Sequence, residues 1–142
     1  IARFDSFLQV ALVTNYFTSV ENFFRIVGNL LHPDLFDEHT PIFTISKKIL
    51  ERFDFKNYAC VLDMYRLIRN LSHNNGVYNK EARRFYYDGR VYHFIPNRLV
   101  YLNWKLLCDL SIDIEECIFQ IINTKTISDY YEIEDPSSYY LL

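Results

Sequence analysis

The chain has 142 residues, of which half are apolar and 18% are aromatic, and its formal net charge is −3. This length and apolar content exclude a disordered chain, and the slight negative charge argues against indiscriminate nucleic-acid binding. With only 3 glycines and 4 prolines, the composition favours long helices over a many-turned β sandwich. We therefore predict one domain that spans residues 1–142.

Three helices are predicted in the first half of the chain. Apolar residues recur at three- and four-residue steps over residues 4–31, which predicts a long amphipathic helix that ends before Pro33. A shorter helix is expected over residues 42–53. A third helix is expected over about residues 57–73, where the sequence NNG supplies the left-handed residue that a helix end needs.

A hairpin and a final helix are predicted in the second half. Asp88 and Gly89 lie between two aromatic, β-rich runs, and this pair is a strong signal for a two-residue hairpin turn. Asn97 is expected to cap a last helix that reaches about Thr124. The predicted fold class is therefore mainly all-α, an up-and-down bundle of about four main helices with a small β-hairpin inserted before the last helix.

The location of the protein and its need for cofactors follow from what the sequence lacks. The first thirty residues hold too many charges and amides for a membrane helix, and they lack the pattern of a secretion signal. Cys60, Cys108 and Cys117 are set among apolar neighbours, which predicts buried free thiols in a reducing cytoplasm. No spacing of histidines with cysteines or carboxylates builds a zinc site, so we expect no metal and no cofactor. The charges and amides of the first thirty residues lead us to expect no membrane partner.

Charge is distributed unevenly along the chain. Residues 66–98 contain seven Arg or Lys against two acids, whereas residues 109–142 contain eight acids against Lys125 alone. The first region is a plausible phosphate-facing patch, although surface charge also serves solvation. The acidic, tyrosine-rich end of the chain, with Tyr130, Tyr131, Tyr139 and Tyr140, is expected either to cover the basic region or to bind a partner.

The stretch RLIRNLSHNNGVY, residues 66–78, places polar residues on one side of the third helix. At about 100° per residue, five polar side chains fall within an arc of roughly 120°, namely Asp63, Arg66, Arg69, Asn70 and His73. Any surface helix has such a polar face, and a histidine in the last turn also complements the helix dipole. Solvated helix faces are usually rich in Lys and Glu. The two guanidiniums, one amide and one imidazole on this face therefore favour a functional site over a merely solvated surface.

The sequence IRNLSHNNGVY resembles the motif of HEPN-superfamily proteins, which are small helical-bundle domains of prokaryotic toxin–antitoxin, abortive-infection and CRISPR-associated systems. Their motif is an arginine, four to six residues and a histidine, often with a polar residue directly after the arginine. Arg69 and Asn70 form such a pair, with three residues before His73. Arg66 has six residues before the histidine but is followed by Leu67.

The resemblance implies a metal-independent ribonuclease that works as a homodimer. His73 would then be the general acid and base, since an imidazole exchanges protons near neutral pH. Arg69 and Arg66 would hold the phosphate and its transition state, because a guanidinium fork fits phosphate oxygens, and Asn70 would orient them. On the hairpin, Arg83, Arg84 and Arg90 either track the RNA backbone or are simply solvated.

Three functions therefore stay open. The first is a HEPN-like metal-independent endoribonuclease of a bacterial toxin–antitoxin or phage-defence system, with a composite site at a homodimer interface and with an antitoxin or defence-system protein as a further partner. The second is a non-catalytic HEPN-like module that binds RNA, a nucleotide or a protein. The third is a structural or assembly subunit whose polar stripe is buried at a dimer contact.

Overall fold

The computed structural model describes residues 2–100 and 102–130, and its architecture is mainly helical. The elements in chain order are α1 (Ala2–Leu31), α2 (Ile42–Phe53), α3 (Ala59–His73), β1 (Arg83–Tyr87), β2 (Arg90–Phe94), α4 (Trp104–Ile122) and α5 (Lys125–Ser128), and a short 3-10 turn (Lys56–Tyr58) leads into α3. The predicted helical fold with a hairpin before the last long helix is therefore confirmed. No helix of this part of the chain combines the length and the apolar character needed to cross a membrane.

Helix α3 lies at the centre of the fold, where it packs against α1, α2, α4 and β1. Its apolar face is buried, and Met64 and Ile68 are fully inaccessible to solvent. Leu62, next to Asp63 on the polar side of α3, is also buried, since α2 packs against α3. The polar residues of α3 are thus confined to the strip that its neighbours leave open.

The ends of the helices follow the predicted signals. α1 ends at Leu31, two residues before Pro33, and α2 has the predicted bounds. After α3, Asn75 and Gly76 have positive φ angles of 52° and 81°, and the Gly76 amide donates to the Leu71 carbonyl at 2.8 Å. This is the left-handed helix stop that the sequence NNG predicts.

The hairpin turns where the sequence predicts it. Asp88 and Gly89 have φ angles of 48° and 70°, as a type I′ turn requires, and Tyr87 pairs with Arg90 across the turn. Side chains alternate between the two faces of a strand, so Phe85 and Tyr87 of β1 are buried on the inner face. The Tyr87 hydroxyl donates to a carboxylate on α4, which attaches the hairpin to that helix.

The prediction that Asn97 caps the last helix is wrong. Its φ angle is 59° and its amide donates to the Tyr78 carbonyl at 2.8 Å, because residues 97–100 run antiparallel to residues 76–78 and return the chain to the end of α3. We call these two paired segments the clasp. The last long helix begins later, and its true cap is Asn103, whose side chain accepts from the Leu106 amide at 2.7 Å.

The prediction of buried thiols holds for one cysteine of three. Cys117 is fully buried in the core, and this burial raises its pKa to about 12. Cys60 and Cys108 are exposed, which corrects the prediction. The reason is position. Cys60 lies in the first turn of α3, where its thiol donates to the Tyr86 carbonyl at 3.7 Å, and Cys108 lines an open groove between α1 and α4, so apolar sequence neighbours did not ensure burial.

Candidate functional site

The polar side of α3 forms one wall of a cleft with a volume of about 240 Å³. α1, the loop before α2 and the first two turns of α2 contribute the rest of the lining. The lining residues are Glu21, Arg25, His39, Thr40, Pro41, Ile42, Phe43, Ser46, Leu62, Tyr65, Arg66, Arg69 and Asn70. Glu21 brings a carboxylate and Tyr65 a phenol, and α1 and α3 together contribute three arginines.

Arg69 crosses the cleft and forms an ion pair with Glu21 of α1. The two side chains are 30% and 18% exposed, so water screens the pair only in part. The Tyr65 hydroxyl lies 3.5 Å from the same carboxylate and donates to the Phe17 carbonyl at 3.1 Å. Burial, followed by the charge of Glu21, raises the pKa of Tyr65, so this hydroxyl stays protonated, and its one proton goes either to the Phe17 carbonyl or to the more distant Glu21 carboxylate.

Arg66 is held in a different way. Its guanidinium lies 4.2 Å from the centre of the Phe43 ring, a cation–π contact across to α2. Asp63 Oδ1 lies 3.1 Å from it, but this contact lacks the alignment of a hydrogen bond. Asp63 and Arg66 thus form a charge contact and not a hydrogen bond, which leaves N–H donors of the guanidinium available to a ligand.

Arg25 and His39 line the cleft although the sequence did not single them out as site residues. Arg25 comes from α1 and is partly buried, and among the side chains that the structure describes no carboxylate lies within 4.0 Å of it. His39 comes from the loop before α2, is largely exposed, and lies 3.4 Å from Glu38. The nearest sequence signal for His39 is its place just before Pro41, at a predicted helix start.

The first turn of α2 adds a positive end to the cleft. Pro41 is its N-cap residue and provides no side-chain hydrogen bond, and no acidic residue lies in the first turn. Ile42 and Phe43 belong both to this turn and to the lining of the cleft. The partial positive charge of a helix N-terminus therefore adds to that of the arginines.

The structure brings together three of the four predicted residues on α3. Arg66, Arg69 and Asn70 all line the cleft, whereas His73 does not. His73 is exposed in the last turn of α3, one turn beyond Arg69, and the side chain has no hydrogen-bond or ion-pair partner among the described residues. In the same part of the chain, no three His, Cys, Asp or Glu residues converge as metal ligands would.

The three hairpin arginines have three different environments. Arg83 turns inward, where it donates to Asp63 Oδ2 at 3.4 Å and lies 4.9 Å from the centre of the Phe85 ring. Arg84 is exposed on the side of β1 that points away from the core, and Arg90 is exposed at the turn. Only the last two are free to reach a phosphate without breaking an ion pair among the described residues.

Comparison of the chain with protein-family models, with curated proteins and with solved structures found no match.

Proposed function

We propose that this chain is a HEPN-like domain that binds RNA through phosphate groups held in the cleft. One observation carries the proposal: Arg25, Arg66 and Arg69 from two helices line a single cleft that the N-terminus of a third helix also lines. Guanidinium groups and helix N-termini are both suited to phosphate oxygens. Glu21 is paired with Arg69 and Asp63 contacts Arg66, so Arg25 is the lining arginine that supplies an uncompensated positive charge among the described residues.

Fluorescence anisotropy with a labelled single-stranded RNA tests this proposal. Arg25→Ala is expected to weaken binding and to reduce the slope of log K against log salt concentration by about 0.7, the value for one phosphate contact on a single strand. Arg52→Ala is the matched control, because Arg52 is an exposed arginine near the end of α2 that does not line the cleft. Equal affinities and slopes for the two variants would refute phosphate binding in the cleft.

A second candidate is metal-independent cleavage of RNA, and the position of His73 favours it. Its imidazole is exposed one turn beyond Arg69, at the open end of the polar strip of α3. One copy of the chain leaves this imidazole outside its own cleft, so a homodimer that pairs two α3 helices would bring two His73 side chains and both sets of arginines to one composite site.

In this composite site one neutral imidazole accepts the proton of the RNA 2′-hydroxyl while the 2′-oxygen attacks phosphorus. The other, protonated imidazole gives its proton to the departing 5′-oxygen. The products are a 2′,3′-cyclic phosphate and a 5′-hydroxyl, and the arginines stabilise the negative charge of the phosphorane. Asn70, which lines the cleft beside Arg69, orients either the phosphate or the arginine.

Cleavage of mixed RNA in excess EDTA tests the second candidate, with His73→Ala compared with His39→Ala. Loss of cyclic-phosphate products in the first variant and retention in the second would support the composite site, since His39 is the imidazole that lines the cleft of a single copy. The reverse result would assign the proton transfers to His39. RNA binding without cleavage would favour the non-catalytic module that binds RNA.

A further inference from the structure

The hairpin has an exposed face that the core does not use. In its antiparallel register Arg84 lies opposite His93 and Tyr86 lies opposite Val91, and all four side chains are exposed. The Tyr86 side chain is 67% exposed, because alternate residues of β1 point away from the core. We call these four residues the outer face, which presents a flat aromatic ring beside a guanidinium and an imidazole.

The charge of the outer face suits a polyanion. The only acid between residues 83 and 94 is Asp88, which lies in the turn, 3.8 Å from Lys105. Among the described residues no carboxylate lies within 4.0 Å of Arg84. Directly opposed residues of an antiparallel pair have Cβ atoms about 4.5–5.5 Å apart, so the Arg84 and His93 side chains are neighbours one step along from the Tyr86 ring.

The hairpin is also next to the cleft. Arg83 of β1 and Arg66 of the cleft wall contact the two oxygens of one carboxylate, that of Asp63, at 3.4 and 3.1 Å. The base of the hairpin and the wall of the cleft are thus separated on α3 by a single side chain. The hairpin therefore begins beside the cleft wall, within reach of an RNA strand longer than the cleft.

We propose that the outer face is a stacking surface for unpaired RNA bases, where the Tyr86 ring packs against one base and Arg84 binds a neighbouring phosphate. The inference rests on the proposed RNA binding by the cleft and deepens it by naming the RNA class. Every base has a π face, so stacking tolerates any sequence. Bases within a duplex are already stacked, and the ligand is therefore single-stranded RNA or a loop.

Anisotropy titrations with an RNA of about 12 nucleotides, free or annealed to its complement, test the inference. Tyr86→Ala is expected to weaken binding of the single strand about five- to a hundredfold and to change duplex binding little. Tyr86→Phe keeps the ring and should stay within about twofold of the native protein. Phe119→Ala is the matched control, because Phe119 is an exposed aromatic residue of α4 that belongs neither to the hairpin nor to the lining of the cleft.

The outcomes separate this inference from the proposed function. If Tyr86→Ala binds the single strand as the native protein does while Arg25→Ala binds it weakly, the stacking surface is refuted and the cleft stands. If Tyr86→Ala weakens binding and Arg25→Ala does not, the stacking surface stands and phosphate binding in the cleft is refuted. If the native protein binds neither RNA, both proposals are overturned.

Discussion

Glu21→Gln is expected to lower the stability of the fold and to raise its affinity for RNA, because Glu21 both holds Arg69 and places a negative charge in the cleft. With side chains 18% and 30% exposed, the ion pair lies between an exposed pair, which contributes about 0–1 kcal/mol, and a buried pair, whose disruption costs about 3–5 kcal/mol. We therefore expect the substitution to lower the free energy of unfolding by about 1–2 kcal/mol. For a chain of this length that corresponds to a fall in Tm of about 3–8 °C.

The gain in RNA affinity follows from removing a repulsion. A phosphate bound by Arg69 would lie about 6 Å from the Glu21 carboxylate, and at an effective dielectric constant of about 40–80 two such charges repel by about 0.7–1.4 kcal/mol. Glu21→Gln should accordingly bind single-stranded RNA about three- to tenfold more tightly at low salt. The gain should shrink as salt is added, since the cleft is open to solvent and ions screen the repulsion.

Thermal denaturation and anisotropy measure the two halves of this prediction on the same protein sample. Glu51→Gln is the control, because it removes the same charge from an exposed position on α2 that contacts Lys47 and Lys48 and does not line the cleft. The control should change Tm and RNA affinity little. A folded Glu21→Gln variant with unchanged or weaker RNA affinity would refute the view that the cleft holds the phosphate.

Three further predictions concern packing, thiol access and pH. Gly28→Ala is expected to lower the free energy of unfolding by about 1–3 kcal/mol, since an added Cβ would lie 2.5 Å from Ile45 Cγ2; an unchanged Tm would contradict this. Ellman's reagent should label two of the three thiols of the native protein at neutral pH and reach the buried Cys117 only after denaturant is added, so that rapid labelling of all three would be inconsistent with the fold. Burial, followed by the charge of Glu115, raises the pKa of Tyr16 to about 12, so the folded chain keeps a proton that the unfolded chain releases near about pH 10. This contribution to stability is complete below about pH 10 and is lost as the pH rises towards about 12, and the urea midpoint should therefore fall less steeply above about pH 10 in Tyr16→Phe than in the native protein.

The elements of the fold were predictable where their signals are local. The helix over residues 42–53 has apolar periodicity between Pro41 and Asp54, and the hairpin has Asp88 and Gly89 at its turn. Asn97 misled the prediction of the last helix, because Asn97 and Asn103 both precede the helical pattern and an asparagine side chain can cap a helix from either place. Its actual role depends on pairing with a segment about twenty residues earlier, which local patterns do not report.

The site was predictable only as far as one helix carries it. Arg66, Arg69 and Asn70 share an arc of α3, and 100° per residue is enough to group them. The same angular argument includes His73, but it measures direction around the axis and not distance along it, and His73 lies a turn beyond the cleft. Arg25 reaches the cleft through the packing of α1 against α3, a tertiary contact that periodicity does not report.

The hairpin arginines carry a further signal in their spacing. Successive residues of a strand face opposite sides, so Arg83 and Arg84 cannot both track one RNA backbone. Phe85 and Tyr87 are the buried aromatic residues of β1, and Arg83 shares their parity while Arg84 and Tyr86 share the other. The alternation along β1 is therefore sufficient to separate the inward arginine from the outward one.

The clasp has a consequence for how this protein can diverge. Its backbone hydrogen bonds, from the Val100 amide to the Gly76 carbonyl at 3.0 Å and from the Tyr78 amide to the Arg98 carbonyl at 3.1 Å, fix the two ends of the excursion that contains the hairpin. Main-chain bonds tolerate most side chains, and lengthening a closed loop costs only about 0.6 kcal/mol for each doubling of its length. Insertions at the hairpin tip and new residues on its outer face can therefore accumulate while α3 and its cleft keep their geometry, so that ligand preference and scaffold can evolve separately.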